Sequence, residues 1–97
     1  MRRVVFAASF VDDADAIASY IESNFGISRA DAFIDDLDRF CALVADNPGL
    51  GLTSHGYETT LYGVVHGLNW IFFQYDDEEV RFIHVVDGRR NKPTIRF

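Results

Sequence analysis

The chain has 97 residues, 48% of them hydrophobic, and a formal net charge of −6. That length fits a single domain over residues 1–97 and leaves no room for a second core. The apolar runs are too short for a transmembrane helix, and the 14% of aromatic residues argues against disorder. One cysteine, Cys41, cannot form an internal disulfide, which favours the reducing cytosol. The composition predicts a small cytoplasmic domain with no membrane contact.

The charge is distributed unevenly along the chain. Residues 12–46 contain nine acidic side chains against Arg29 and Arg39, whereas residues 81–97 contain five basic side chains against Asp87. We therefore expect an acidic middle and a basic C-terminal end. The acidic part would repel a nucleic acid at long range, so we expect no direct DNA binding by the chain alone.

The first half predicts one strand and a pair of helices. Residues 3–10 alternate as a half-buried strand does, and Asp12, Asp13 and Asp15 then favour a helix start. An apolar stripe follows at helical spacing, made by Ala14, Ile17, Ala18, Ile21 and Phe25. Gly26 ends this helix, and Ser28 with Asp31 resembles the capping box of a second one. The short connection predicts an antiparallel helical hairpin.

The second half changes to the period of strands. A glycine-containing loop is predicted over residues 50–57, followed by strands over 58–65, 68–75 and 80–86. In the last strand Val80, Phe82, His84 and Val86 are predicted to share one face. Short turns make the three strands sequential and antiparallel. The predicted fold class is α+β, with β-α-α-β-β-β order and a helical hairpin packed on an antiparallel sheet.

The residue types do not predict a metal, a cofactor or a nucleophile. His55, His66 and His84 lack the spacing of metal ligands, and Cys41 falls on the apolar stripe of the second helix, where cysteine is usually inert. We therefore expect no metal, no cofactor and no catalytic residue.

Three arginines near the C-terminus are candidates for binding. Arg81, Arg89 and Arg90 offer guanidinium groups that bind phosphate or carboxylate oxygens in bidentate fashion. The alternative is that Arg89 and Arg90 only keep the tail soluble, or pair with the acidic helices.

An ordered set of motifs spans the chain. The set comprises a strand, a helical hairpin and an Asn47-Pro48-Gly49 break, then Trp70-Ile71-Phe72-Phe73 before an acidic turn, and a final strand running into Asp87-Gly88-Arg89-Arg90. This set resembles the RelE/ParE superfamily of toxins. The absence of long basic insertions resembles the ParE branch. The resemblance implies the same β-α-α-β-β-β fold and a toxin of a type II toxin–antitoxin, or plasmid stabilisation, system.

The resemblance also implies partners. A ParE-like toxin would bind DNA gyrase by protein contact, and its cognate antitoxin would neutralise it by forming a hetero-oligomer. The antitoxin would bind in the groove between the hairpin and the sheet, with Ile17, Ile21 and Trp70 as candidate contacts. Arg81, Arg89 and Arg90 are the candidate toxin surface.

Two alternatives remain open. One is a RelE-like endoribonuclease that cuts mRNA on the ribosome, and the other is a toxin fold that has lost toxicity. Several residues disfavour the nuclease: Lys92 is the sole lysine, Asn69 and Trp70 stand where basic residues often precede the central strand, and the tail offers Phe97 in place of a tyrosine or histidine acid.

Overall fold

Residues 2–54 and 61–88, which the computed structural model describes, form two helices and five strands. In chain order these are β1 (Arg3–Phe6), α1 (Ala8–Phe25), α2 (Ile27–Asp46), a 3-10 turn (Pro48–Leu50), β2 (Leu52–Ser54), β3 (Leu61–His66), β4 (Asn69–Tyr75) and β5 (Glu79–Asp87). The helical hairpin and the antiparallel β3-β4-β5 run confirm the predicted α+β fold class. Neither helix combines the length and hydropathy that a bilayer crossing needs.

Helix α1 begins four residues earlier than predicted. The amide of Ala7 still donates to the carbonyl oxygen of Phe82 on β5 at 2.9 Å, but the amide of Val11 already donates to the carbonyl oxygen of Ala7 at 3.1 Å. The predicted strand is therefore wrong beyond Phe6. Phe10 extends the apolar stripe of the helix by one turn, since it precedes Ala14 and Ile17 at helical spacing.

The residues predicted to begin the two helices do not lie at the helix starts. The acids at positions 12, 13 and 15 lie beyond the first turn of α1, so they do not cap it. Helix α2 begins at Ile27, directly after Gly26, whose φ of 95° favours glycine. Ser28 therefore lies inside the first turn of α2, and the helix has no side-chain cap, contrary to the predicted capping box.

The sheet contains one strand more than predicted. Its order is β1-β5-β4-β3-β2, with β1 parallel to β5 and the other neighbours antiparallel. Strand β2 falls within the segment predicted as a loop. It pairs with β3, with Leu52 opposite Gly63 and Ser54 opposite Leu61. Three residues between glycines gave too little alternation to predict it. The predicted start of the next strand, residues 58–60, lies outside the described residues.

A β-bulge at Ile83 changes which residues of β5 share a face. Phe72 pairs with His84 and Phe73 pairs with Phe82, so Ile83 has no partner on β4. The extra residue breaks the alternation. Val85 consequently packs with Phe82 under the helices, whereas Val86 packs with Ile83 in a different cluster. The predicted common face of Val80, Phe82 and Val86 is wrong because of this bulge.

The core lies between the helical hairpin and one face of the sheet. Its fully buried side chains on the strands are Ile71, Phe73, Val80 and Phe82, and they pack against Phe10, Ile17, Leu37, Cys41 and Val44 of the helices. A smaller cluster of Leu61, Phe72, Val86, Trp70 and Ile83 lies on the opposite face, since strand side chains alternate.

Candidate functional site: a groove along the helical hairpin

An open apolar cavity of about 170 Å³ lies where the two helices meet edge strand β1. All three elements contribute to its walls. The apolar wall residues are Phe6, Phe10, Val11, Ala14, Ile34 and Leu37, and Asp15 and Asp38 also line the cavity. Val11 is 45% exposed and Phe6 is 41% exposed, so the apolar surface is open to solvent. Exposed apolar surface with a polar rim is typical of an interaction site.

Three aromatic rings connect this cavity to the core. The ring centroids of Phe6 and Phe82 are 5.5 Å apart, and that of Phe10 lies 5.4 Å from Phe6 and 5.7 Å from Phe82. Phe82 is 0% exposed and Phe10 is 3% exposed, in contrast to Phe6. The exposed ring of Phe6 therefore packs directly on two buried rings of the core.

A second depression, of about 360 Å³, continues the cavity between the two helices. Asp15 and Ile34 line both depressions. The further walls are Ala18, Ser19, Glu22, Ile27, Ala30 and Asp31. We call the two depressions together the hairpin groove. It follows α1 from Phe10 to Glu22, which at the helical rise corresponds to about 18 Å.

The rim of the hairpin groove is acidic. Asp15, Glu22, Asp31 and Asp38 line it and are exposed. None of the four carboxylates pairs with a basic side chain in the described part of the chain. Arg29 stands over the ring of Phe25 at 5.7 Å and does not line the groove. The groove thus presents negative charge around an apolar floor.

Another acid, Asp13, connects α1 to the part of β5 that lies beyond the end of β1. Its Oδ2 atom accepts the amide of Val85 at 3.2 Å and lies 2.7 Å from Nδ1 of His84. One turn earlier, the hydroxyl of Ser9 donates to the carbonyl oxygen of Ile83 at 2.6 Å. These contacts satisfy backbone groups of β5 after β1 has ended, since β1 pairs only as far as Phe6. Asp13 therefore orients the helix that forms one wall of the groove.

The structure does not bring the candidate antitoxin contacts Ile17, Ile21 and Trp70 together. Ile17 is buried in the core under the hairpin, and Ile21 packs against the same core. Trp70 belongs to the cluster on the opposite face of the sheet. None of the three lines the hairpin groove.

Of the three candidate toxin-surface arginines, the structure describes only Arg81. Arg81 pairs with Glu79 near the start of β5, with Nη2 3.1 Å from Oε2, while Arg3 occupies the other carboxylate oxygen at 3.1 Å. The strand ends at Asp87, and the amide of Gly88 after it donates to the carbonyl oxygen of Leu68 at 2.8 Å. Arg89 and Arg90 lie outside the described residues. Since Arg81 is six residues before Asp87 on an extended strand, about 20 Å separates it from the strand end.

Of the residues considered for metal binding and nucleophilic chemistry, the structure describes His66, His84 and Cys41, whereas His55 lies outside the described residues. In the described ranges, histidine, cysteine and carboxylate side chains form no group that can hold a metal ion. His66 pairs with Asp36 at 2.5 Å and stacks on Phe40. Cys41 is fully buried, and burial, helped by the charge of Asp38, raises the pKa of its thiol from 9.0 to about 12. A thiol with this pKa remains protonated and unreactive at neutral pH.

Sequence reasoning missed the groove residues Phe6 and Val11. Phe6 fell in the predicted strand 3–10 and was read by strand alternation, and Val11 fell between that strand and the predicted helix start at Asp12. The signal that identifies them is the spacing of Phe10, Ala14 and Ile17, which extends the helix stripe towards the N-terminus and leaves Phe6 as the last residue of an edge strand.

The described residues form a helical hairpin on a mainly antiparallel sheet, with an open groove along the hairpin. The family model described as the ParE toxin of the type II toxin–antitoxin system parDE matches residues 4–92. The chain therefore belongs to this family of type II toxins, which confirms the resemblance drawn from its motifs.

A solved structure supports the same fold. The chain is similar to a chain of the chromosomal ParDE toxin–antitoxin system from P. aeruginosa, with a TM-score of 0.76 and 15% sequence identity. The match covers 90% of this chain and 96% of that chain. No curated protein matches by sequence.

Proposed function

We propose that this chain arrests bacterial growth by binding DNA gyrase in the cytoplasm, and that a cognate antitoxin neutralises it by occupying the hairpin groove. The family supplies the toxin role and implies an antitoxin. The observation that carries the proposal is the open apolar groove, with Phe6 and Val11 exposed above a buried aromatic core. An amphipathic segment that covers these side chains removes them from water.

Within this proposal the sequence candidates take different roles. Ile17 and Ile21 support the groove from the core side, since they hold α1 against the sheet. Trp70 is a candidate for a second antitoxin contact on the opposite face, because an antitoxin that wraps the toxin reaches both faces. Arg89 and Arg90 remain the proposed toxin surface. Arg81 is a weaker candidate, because Glu79 already engages its guanidinium.

The experiment is to express the chain alone in a bacterium and to pulse-label DNA and protein synthesis in the first minutes. We expect DNA synthesis to fall first. Earlier loss of protein synthesis would favour the ribonuclease, and undisturbed synthesis of both would mean that toxicity is lost.

The proposed toxin surface has its own test. Replacing both arginines, Arg89→Glu with Arg90→Glu, is expected to abolish growth arrest without changing the thermal unfolding midpoint. The matched control is Arg29→Glu with Arg39→Glu, two exposed arginines of the hairpin with the same change in charge. Arrest that persists in the first variant, or is lost equally in the control, would contradict the assignment.

A further inference from the structure

The hairpin groove has the shape of a site for one additional helix. Both of its long walls are helical, and its apolar side chains recur at helical spacing, as Phe10, Ala14 and Ala18 do on α1. Alanines at positions 14, 18 and 30 leave room for close approach, and helices pack into such grooves at about 8–10 Å between axes. The length of about 18 Å corresponds to about three helical turns.

The charge around the groove selects the chemistry of that helix. Carboxylates stand on both walls, with Asp15 and Glu22 on α1 and Asp31 and Asp38 on α2. In the described part of the chain they have no basic partner. The two arginines of the hairpin, Arg29 and Arg39, do not line the groove and leave the helices strongly acidic. An acidic helix here would be repelled from both sides, whereas lysine or arginine on its flanks would pair with the rim.

We propose that the partner of the hairpin groove is a cationic amphipathic helix of about three turns, with an apolar stripe and lysine or arginine on both flanks. This inference rests on the proposed function in so far as the antitoxin supplies the helix. The apolar stripe covers Phe6 and Val11 at the β1 end of the groove. The flanking cations pair with the carboxylates of the two helices.

The test uses two designed peptide helices of about 14 residues and the purified full chain. Both peptides carry leucines at i, i+3, i+4 and i+7. One has lysines on both flanks, and the other has glutamates at the same positions. Fluorescence anisotropy at about 0.05 M and about 0.3 M salt measures the affinity and its electrostatic part.

We expect the lysine peptide to bind at least about tenfold more tightly than the glutamate peptide, with the difference shrinking as salt rises. Replacing two rim carboxylates, Asp15→Asn with Asp38→Asn, is expected to weaken the lysine peptide about fivefold. The matched control is Asp46→Asn with Asp77→Asn, two exposed acids away from the groove, which also raises the net charge from −6 to −4. The control is expected to change affinity by less than about twofold.

Equal affinity for the two peptides, no binding of either, or an equal loss in both double variants would overturn the inference. Growth arrest by the chain alone tests the proposed toxin role separately. Arrest without a preference for the lysine peptide refutes only the cationic partner, and a preference without arrest refutes only the toxin role.

Discussion

Phe82 and Phe6 have ring centroids only 5.5 Å apart, yet they belong to different regions of the molecule. Phe82 lies on β5, between β1 and β4 and under the helices, and is fully buried. Phe6 lies on edge strand β1 and forms a wall of the hairpin groove. Position in the sheet, and not residue type, therefore decides which ring stabilises the fold and which is available to a partner.

The largest effect is expected from the core ring. Phe82→Ala removes a fully buried aromatic side chain and should lower the free energy of unfolding by about 3–5 kcal/mol. Urea denaturation followed by circular dichroism measures this loss. The control Leu43→Ala removes an exposed side chain from α2 and should stay within about 0.5 kcal/mol of the parent. Equal losses in the two variants would remove the distinction between core and surface.

The second largest loss of stability is expected from breaking the contact between Asp13 of α1 and β5. Asp13→Ala leaves the amide of Val85 and the ring of His84 without the carboxylate, and we expect a loss of about 1–3 kcal/mol. Asp12→Ala is the matched control, because Asp12 is the residue next to Asp13 and its side chain is exposed. If both variants unfold at the same denaturant concentration, Asp13 does not fasten the helix.

Replacing Phe6 tests most directly the comparison between the groove and the core. Phe6→Ala should lower stability by only about 1 kcal/mol, since the side chain is already 41% exposed. The affinity of this variant for the lysine peptide should fall about tenfold or more, as expected when an aromatic contact of a binding site is removed. Phe25→Ala, at the exposed tip of the hairpin and outside the groove, should bind the peptide normally. A peptide affinity unaffected by Phe6→Ala would place the binding surface elsewhere.

The smallest effect is expected in the turn between β4 and β5, which does not line the hairpin groove. The amides of Glu79 and Glu78 donate to Asp76 Oδ1 and hold the pKa of that carboxyl below its ordinary value of 3.8. Because the pKa of Asp76 is lower in the folded state, its ionised carboxylate stabilises the fold at pH values above the ordinary pKa. This contribution is lost as the pH falls through the pKa of the folded state. Asp76→Ala should therefore lower the unfolding midpoint slightly at neutral pH.

That difference should vanish in strong acid. Thermal unfolding at a series of pH values checks it, with Asp77→Ala as a neighbouring control. A difference between Asp76→Ala and the parent that grows on acidification would contradict the assigned hydrogen bonds.

The sequence predicted the order of elements because long periodic segments determine them. The hairpin stripe and three alternating strands were sufficient for the fold class, and Gly26 marked the turn. The early start of α1 was missed because Ala7 to Phe10 suit a strand and a helix equally, and only pairing with β5 decides where β1 ends. The bulge at Ile83 depends on the fit between β4 and β5, which no local pattern contains.

The candidate site was less predictable than the fold. The groove joins Phe6 of β1, Val11 of α1 and Leu37 of α2. Leu37 is distant from the other two in the sequence, and the secondary structure around Phe6 and Val11 could not be decided from local pattern. The spacing of Ile17 and Ile21 marked an apolar face, but periodicity does not distinguish a face that covers the core from one that awaits a partner. The separation of Trp70 from these residues required the sheet topology.

The most direct test of the central claim is DNA supercoiling by purified gyrase in the presence of increasing concentrations of this chain. The account predicts that the chain inhibits supercoiling and that the Arg89→Glu, Arg90→Glu variant does not. Full supercoiling activity at chain concentrations that arrest growing cells would contradict it.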